Sequence, residues 1–286
     1  MLLPPGQSSN AGPAASNVRS PGSCTGSEAG ATPARPACAA SWIVDLFVHT
    51  VCLLVASKAS DKESLISASA GAIFPGIIQQ YRHAAECAQR AGFDGVEVHS
   101  ANSYLLDQFL RDSTNQRGDK YGGNIENRSR LTLEVTAAVV EVWGHNRVGI
   151  RLSPVTPDAG NTPLDSQVMQ TYGHLIEQLN RFHLAYMHFI EGATATSRSV
   201  PDGVDLDALR ARFKGAYIGN NNYDLNLAVN RRAEGNVDAV AFGRPFIANP
   251  DLVRRLKEGA ELAVAPRETY YGNGAKGYTD WPVLAG

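Results

Sequence analysis

AYMHFIEGATATSRSVPDGVDLDALRARFKGAYIG (185–219) decides the architecture. AYMHFI (185–190) is a short apolar run, bounded by a loop rich in Gly, Ser and Pro, and reads as a buried strand. DLDALRARF (205–213) has helical spacing, and AYIG (216–219) is a second strand after a glycine turn. Strand, helix and strand within 35 residues make a βαβ unit, whose two strands run parallel with a right-handed crossover.

The same rhythm extends in both directions. Upstream, Ile77, Tyr81, Ala84, Ala85 and Ala88 share one helical face, and that helix stops near Gly92. A strand follows at FDGVEVH (93–99), then a helix over 126–143, a strand at VGIRL (148–152) and a helix over about 165–181. Downstream come a helix over about 223–234, a strand at AVAF (239–242) and a helix at DLVRRLKEG (251–259). Five strands alternating with helices predict an α/β fold with a parallel sheet.

The front of the chain differs. Residues 1–40 hold 26 Ala, Ser, Pro and Gly residues and show no hydrophobic period, so they read as disordered, and about 1–60 as a whole reads as a disordered or non-family segment. A basic n-region and apolar h-region of a secretory signal are absent. WIVDLFVHTVCLLVA (42–56) is too short to span a bilayer and is interrupted by Asp45 and His49; it reads as a buried or loosely packed helix. Net charge is −2, with 26 basic and 28 acidic residues, which gives no electrostatic reason to expect nucleic acid or a membrane surface as partner. Cys24, Cys38, Cys52 and Cys87 form no CxxC pair, so no metal knuckle is expected and a reducing, cytoplasmic setting is the default.

Parallel α/β folds place their chemistry after the carboxyl ends of the strands. After the first strand stand His99, Asn102 and Tyr104. The first two can donate to one substrate oxygen, and the phenol is a neutral acid; equally, His99 can be a satisfied core histidine and Tyr104 a packing residue. Arg151 lies on the strand face opposite Val148 and Ile150, where a buried guanidinium needs an anion, either a cofactor or a structural carboxylate. Gly219-Asn220-Asn221-Asn222 and Gly243-Arg244-Pro245 suit a phosphate, though each alone is also ordinary turn chemistry. GxGxxG and GxxxxGK[ST] are both absent, which argues against a Rossmann or P-loop site.

FDGVEVHSANSYLLDQFLRDSTNQRGDKYGGNIENRSRLTLEV (93–135) closely resembles the old yellow enzymes, the FMN-dependent ene-reductases. VGIRLSP (148–154), VDAVAFGRPFIANPDLVRRL (237–256) and YYGNGAKGYTDWP (270–282) follow in the family's order, so the resemblance covers about 74–286. It implies a TIM-type β/α barrel with FMN at its mouth, NAD(P)H as reductant and a small electrophilic alkene, an α,β-unsaturated carbonyl or nitro compound, as substrate. His99 and Asn102 match the donors to the substrate oxygen, and Tyr104 matches the proton donor. Arg151 matches the arginine beside the flavin ring; Asn221, Asn222, Gly243 and Arg244 match the phosphate loops; Tyr271 matches an aromatic of the pocket wall. Ser103 and the two asparagines stand where glycine is common. YGGNIENR (121–128) reads as structural, a tight turn opening a helix. The five strands correspond to the family's fourth to eighth. The 73 residues before Phe74 do not resemble the first three, so the barrel is expected to be incomplete. The resemblance then implies an N-terminally truncated or frameshifted member, with a catalytically impaired fragment as the alternative to an active enzyme. Nothing in the sequence names an oligomeric state.

Overall fold

A computed structural model describes residues 50–53, 70–157, 163–194, 197–271 and 274–285, all within the compact unit Ala39–Gly286. The reading of about 1–60 as a disordered or non-family segment lies outside these residues, except at 50–53. Six parallel strands form one sheet in sequential order: β1 (Thr50–Leu53), β2 (Gly95–Ser100), β3 (Val148–Leu152), β4 (Tyr186–Ile190), β5 (Ala216–Asn220) and β6 (Ala239–Ala241). The crossovers carry α1 (Ala70–Arg90), α2 (Leu105–Leu110), α3 (Ile125–Trp143), α4 (Val168–Leu179), α5 (Leu206–Ala211) and α6 (Leu225–Ala233). After β6 come α7 (Arg244–Ala248) and α8 (Leu252–Glu258).

Strand β1 corrects the sequence reading. The run 42–56 was expected to be helical, yet Thr50–Leu53 pairs in parallel with Gly95–Val98 and gives β2 a neighbour on the side expected to be open. An apolar run of four to eight residues has no periodicity that separates a buried strand from a helix, and here the available strand edge decides. The rest of that run lies outside the described residues.

The two faces of the sheet carry different chemistry. Val96, Val98, Val148, Ile150, Leu152, Met187 and Phe189 are at most 1% exposed and pack under the helices. Helix α1 adds Phe74, Ile77, Tyr81, Ala85 and Ala88 to this core, along the face its sequence spacing marks out. On the other face, Glu97, His99, Arg151 and His188 stand on neighbouring strands, with His99 opposite Arg151 and Arg151 opposite His188. That polar inner face, at the carboxyl ends of the strands, is part of a barrel interior. Among the described residues β1 and β6 are the two edges, so the barrel is incomplete.

YGGNIENR behaves as its composition suggests. The Gly122 N–H donates to Asp119 O (3.0 Å), Gly123 has φ +82°, and the Asn124 side chain caps α3 by accepting from the Asn127 N–H (2.9 Å). Arg128 is 3% exposed; it donates to Leu110 O (2.8 Å) and Gly123 O (2.7 Å) and pairs with Asp165 (3.1 Å). No helix among the described residues is long and apolar enough to cross a membrane.

Candidate active site

The loops after β2, β4, β5 and β6 converge on a cleft of about 490 Å³, a volume suited to a cofactor-sized ligand. Eight of the residues singled out from sequence line it: Asn102, Arg151, Asn220, Asn221, Asn222, Gly243, Arg244 and Pro245. They come from four separate stretches of chain, and only the fold brings them together.

Arg151 reaches across β4 to β5, where its Nη2 donates to Asn220 Oδ1 (3.3 Å). Its Nε is buried without a hydrogen-bond partner. A guanidinium held by one long hydrogen bond has donor capacity left for a ligand. Arg244 also lines the cleft, is exposed, and has no carboxylate partner among the described residues.

The turn between β5 and α6 explains its asparagines. Asn221 has φ +105° and Asn222 φ +51°, backbone that glycine adopts freely and asparagine tolerates better than other residues. The Asn221 side chain compensates by donating to Glu191 O (2.7 Å), Ala193 O (2.9 Å) and Ser197 O (2.8 Å). Beneath the turn, Glu191 is 4% exposed and accepts from Tyr217 Oη (2.9 Å), Tyr223 Oη (2.6 Å) and Arg198 Nη2 (2.7 Å). Arg198 also donates to Asn221 O and lies 4.5 Å from the centre of the Tyr223 ring. Burial, followed by the adjacent Glu191 carboxylate, pushes the Tyr223 phenol up to about 12, so it remains a donor.

His99 and Tyr104 stand beside the cleft rather than on its wall, with ring centres 5.1 Å apart in an edge-to-face contact. His99 is 7% exposed, and its Nδ1 accepts from the Ala101 N–H (3.2 Å). The neutral ring therefore carries its proton on Nε2. Burial, with the Arg151 charge adding to it, pushes the imidazole down to about 4, so the ring is neutral at pH 7. Two residues earlier, burial works to raise the Glu97 carboxyl, but the bond to His188 Nδ1 (2.9 Å) and the Arg151 charge outweigh it and hold the group below the usual range.

Tyr271 is not part of this arrangement. It is 74% exposed, while its neighbour Tyr270 lines the cleft. The single turn Arg267–Thr269 sets which of the two adjacent rings faces inward, and no periodicity in the sequence reports it. The Glu191 cluster was missed, and so was the bond by which Asn220, read only as part of a donor-rich turn, holds Arg151. A glutamate directly after a buried strand was the available sign, and its tyrosine and arginine partners are distant in sequence.

The family model for the NADH:flavin oxidoreductase / NADH oxidase family matches residues 74–263. The flavin oxidoreductase hxnT of Emericella nidulans is 42% identical over 228 residues, covering 72% of this chain and 58% of that protein. 12-Oxophytodienoate reductase 2 of Arabidopsis thaliana is 41% identical over 215 residues, 73% of this chain and 56% of its own length. Among solved structures, morphinone reductase in complex with tetrahydroNAD superposes with a TM-score of 0.70 at 47% identity, over 76% of this chain and 58% of that one. The old yellow enzyme homologue from Zymomonas mobilis gives a TM-score of 0.71 at 39% identity, over 76% of this chain and 61% of that one. The chain thus spans somewhat over half the length of these relatives. FMN and a nicotinamide reductant are the cofactors of the family to which such sequences belong. With 190 consecutive residues matched and the parallel partial β/α barrel in common, the chain belongs to the NADH:flavin oxidoreductase family and is of the old yellow enzyme type.

Proposed function

We propose that the cleft is an FMN site and that the chain carries the chemistry of an NAD(P)H-dependent reductase of activated alkenes. One observation supports this reading above others: a single cleft presents a half-buried Arg151 with an unpartnered Nε, a left-handed asparagine turn, the Gly243-Arg244 loop and Asn102. These residues fit a planar group bearing a phosphate. Arg244 and the backbone of Asn221, Asn222 and Gly243 would hold the phosphate. Arg151 would face the ring, where a fixed positive charge favours the reduced, anionic form.

When bound, FMN supplies hydride chemistry toward the β-carbon of an alkene. The protein's own residues would polarise that alkene. His99, neutral and protonated at Nε2, and the Asn102 carboxamide are the donors to the substrate's carbonyl or nitro oxygen. A neutral donor does not acidify the pocket, and two donors share the negative charge that develops on that oxygen. Tyr104, against His99, is the acid that delivers a proton to the α-carbon. The test is to separate the half-reactions in FMN-loaded protein. His99→Ala and Asn102→Ala should each slow alkene reduction by roughly 10²–10³ and leave flavin reduction by NADPH unchanged. Tyr104→Phe should slow enone reduction without weakening FMN binding. Equal damage to both half-reactions overturns these roles.

One observation favours a second reading, a catalytically impaired barrel fragment that binds FMN weakly or not at all. Among the described residues the sheet is open, with no strand joining β6 to β1, so one side of the cleft lacks a wall. Turnover per bound FMN distinguishes the two.

A further inference from the structure

Asn102 and Ser103 both have left-handed backbone, with φ +56° and φ +57°. Neither is glycine, so something must hold them there. The Asn102 N–H donates to Ser153 Oγ (2.7 Å), at the end of β3. The Ser103 N–H donates to Asp107 Oδ2 (2.8 Å), and Ser103 O accepts from Gln108 Nε2 (2.7 Å). Asp107 is fully buried, pairs with Arg111 (2.7 Å) and accepts from Tyr172 Oη (2.8 Å) on α4. Arg111, 1% exposed, closes a ring by donating to Thr156 O (3.0 Å) and, at 3.4 Å, to Ser153 O. The β2–α2 loop and the β3–α4 loop are therefore tied by buried hydrogen bonds that meet at the two left-handed residues.

We propose that Asp107, acting through Arg111 and Ser153, is the positioning residue of the Asn102 donor: it fixes the backbone step that presents the carboxamide to the cleft. This rests on the reading of Asn102 as a substrate donor. The arrangement is specific, because a second buried pair close by, Arg128–Asp165, ties Leu110 and Gly123 and makes no bond to residues 100–104. Loss of Asp107 should therefore be felt at Asn102, and loss of Asp165 only in stability.

The experiment uses the full chain and three variants, Asp107→Asn, Ser153→Ala and Asp165→Asn. Asp107→Asn keeps the shape but removes the charge that Arg111 and the Ser103 N–H share at Oδ2, and turns an NH₂ toward Tyr172 Oη, which must then accept rather than donate. Ser153→Ala removes one acceptor and is the milder change should Asp107→Asn fold poorly. Two quantities are read: amide hydrogen exchange across 101–104 without ligand, and affinity of FMN-loaded protein for cyclohexenone beside its affinity for FMN. Asp107→Asn and Ser153→Ala should speed exchange at Asn102 and Ser103 by about five- to tenfold, as expected for one hydrogen bond. They should weaken cyclohexenone binding to a similar degree and leave FMN affinity unchanged. Asp165→Asn should lower the unfolding temperature and alter neither quantity. The proposal is overturned if Asp165→Asn matches Asp107→Asn in both readouts, if Ser153→Ala leaves exchange at Asn102 unaltered, or if cyclohexenone affinity does not move. A wild-type protein that binds FMN but no cyclohexenone defeats the substrate reading instead, and exchange alone then decides whether the ring holds Asn102.

Discussion

Acidification should destabilise this protein through His99, by an amount its surroundings define. In the unfolded chain the imidazole takes up a proton near pH 6.5; in the folded chain, buried and close to Arg151, it does so only near pH 4. Between those values the unfolded state binds the extra proton, so stability falls as pH falls. Each unit below 6.5 costs about 1.4 kcal/mol. The loss reaches about 2 kcal/mol at pH 5 and levels off below the folded value. The assay is urea unfolding of the wild type and of His99→Gln at pH 7 and pH 5. Glutamine keeps a polar side chain but does not titrate, so subtracting the two proteins cancels the contributions of Glu97 and other groups. The wild type should lose about 2 kcal/mol more than the variant. Equal losses would mean that folded His99 takes up its proton at the same pH as in the unfolded chain, and the shift ascribed to burial and Arg151 would have to be abandoned.

Three further outcomes follow from packing and charge. Gly149→Ala would drive a Cβ into the buried Tyr186 ring on β4 and should cost about 1–3 kcal/mol in chemical unfolding; a neutral result would mean the inner face is loosely packed. Arg128→Met leaves Asp165 buried without its partner and should cost about 3–5 kcal/mol, measured the same way. Asn124→Ala removes the cap of α3 and should cost about 1 kcal/mol, with no change in FMN binding.

The sequence carried most of the fold and part of the site, for different reasons. VGIRL is a strand over the same residues in both, and β4 and β5 agree to within one residue, because short apolar runs between glycine-bearing turns leave little choice. β1 was misread because its pairing partner, not its own pattern, makes Thr50–Leu53 a strand. Helices α2 and α7 were missed since both are short and lie directly after strands, where their residues read as site loops. Residues whose chemistry is local, such as Arg151 alternating out of an apolar strand, were legible. Those whose role depends on a fold-level neighbour were not: Tyr270 rather than Tyr271 faces the cleft, and Asp107 gains its meaning only from Ser103, Arg111 and Tyr172. Asp107 and Arg111 do stand four apart on one turn, a sign of an ion pair but not of what the pair holds.

The central claim is that Arg151, the asparagine turn and the Gly243-Arg244 loop form one FMN site. The most direct measurement is an equilibrium titration of the purified chain with FMN, followed by flavin fluorescence, for the wild type and Arg244→Ala. Arg244 is exposed and unpaired among the described residues, so its loss should leave the unfolding temperature unchanged. Removing one charged contact to phosphate should weaken FMN by about ten- to a hundredfold, and riboflavin, which lacks the phosphate, should bind both proteins alike. A wild type that does not bind FMN, or an Arg244→Ala protein that binds it as tightly as the wild type, would contradict the account.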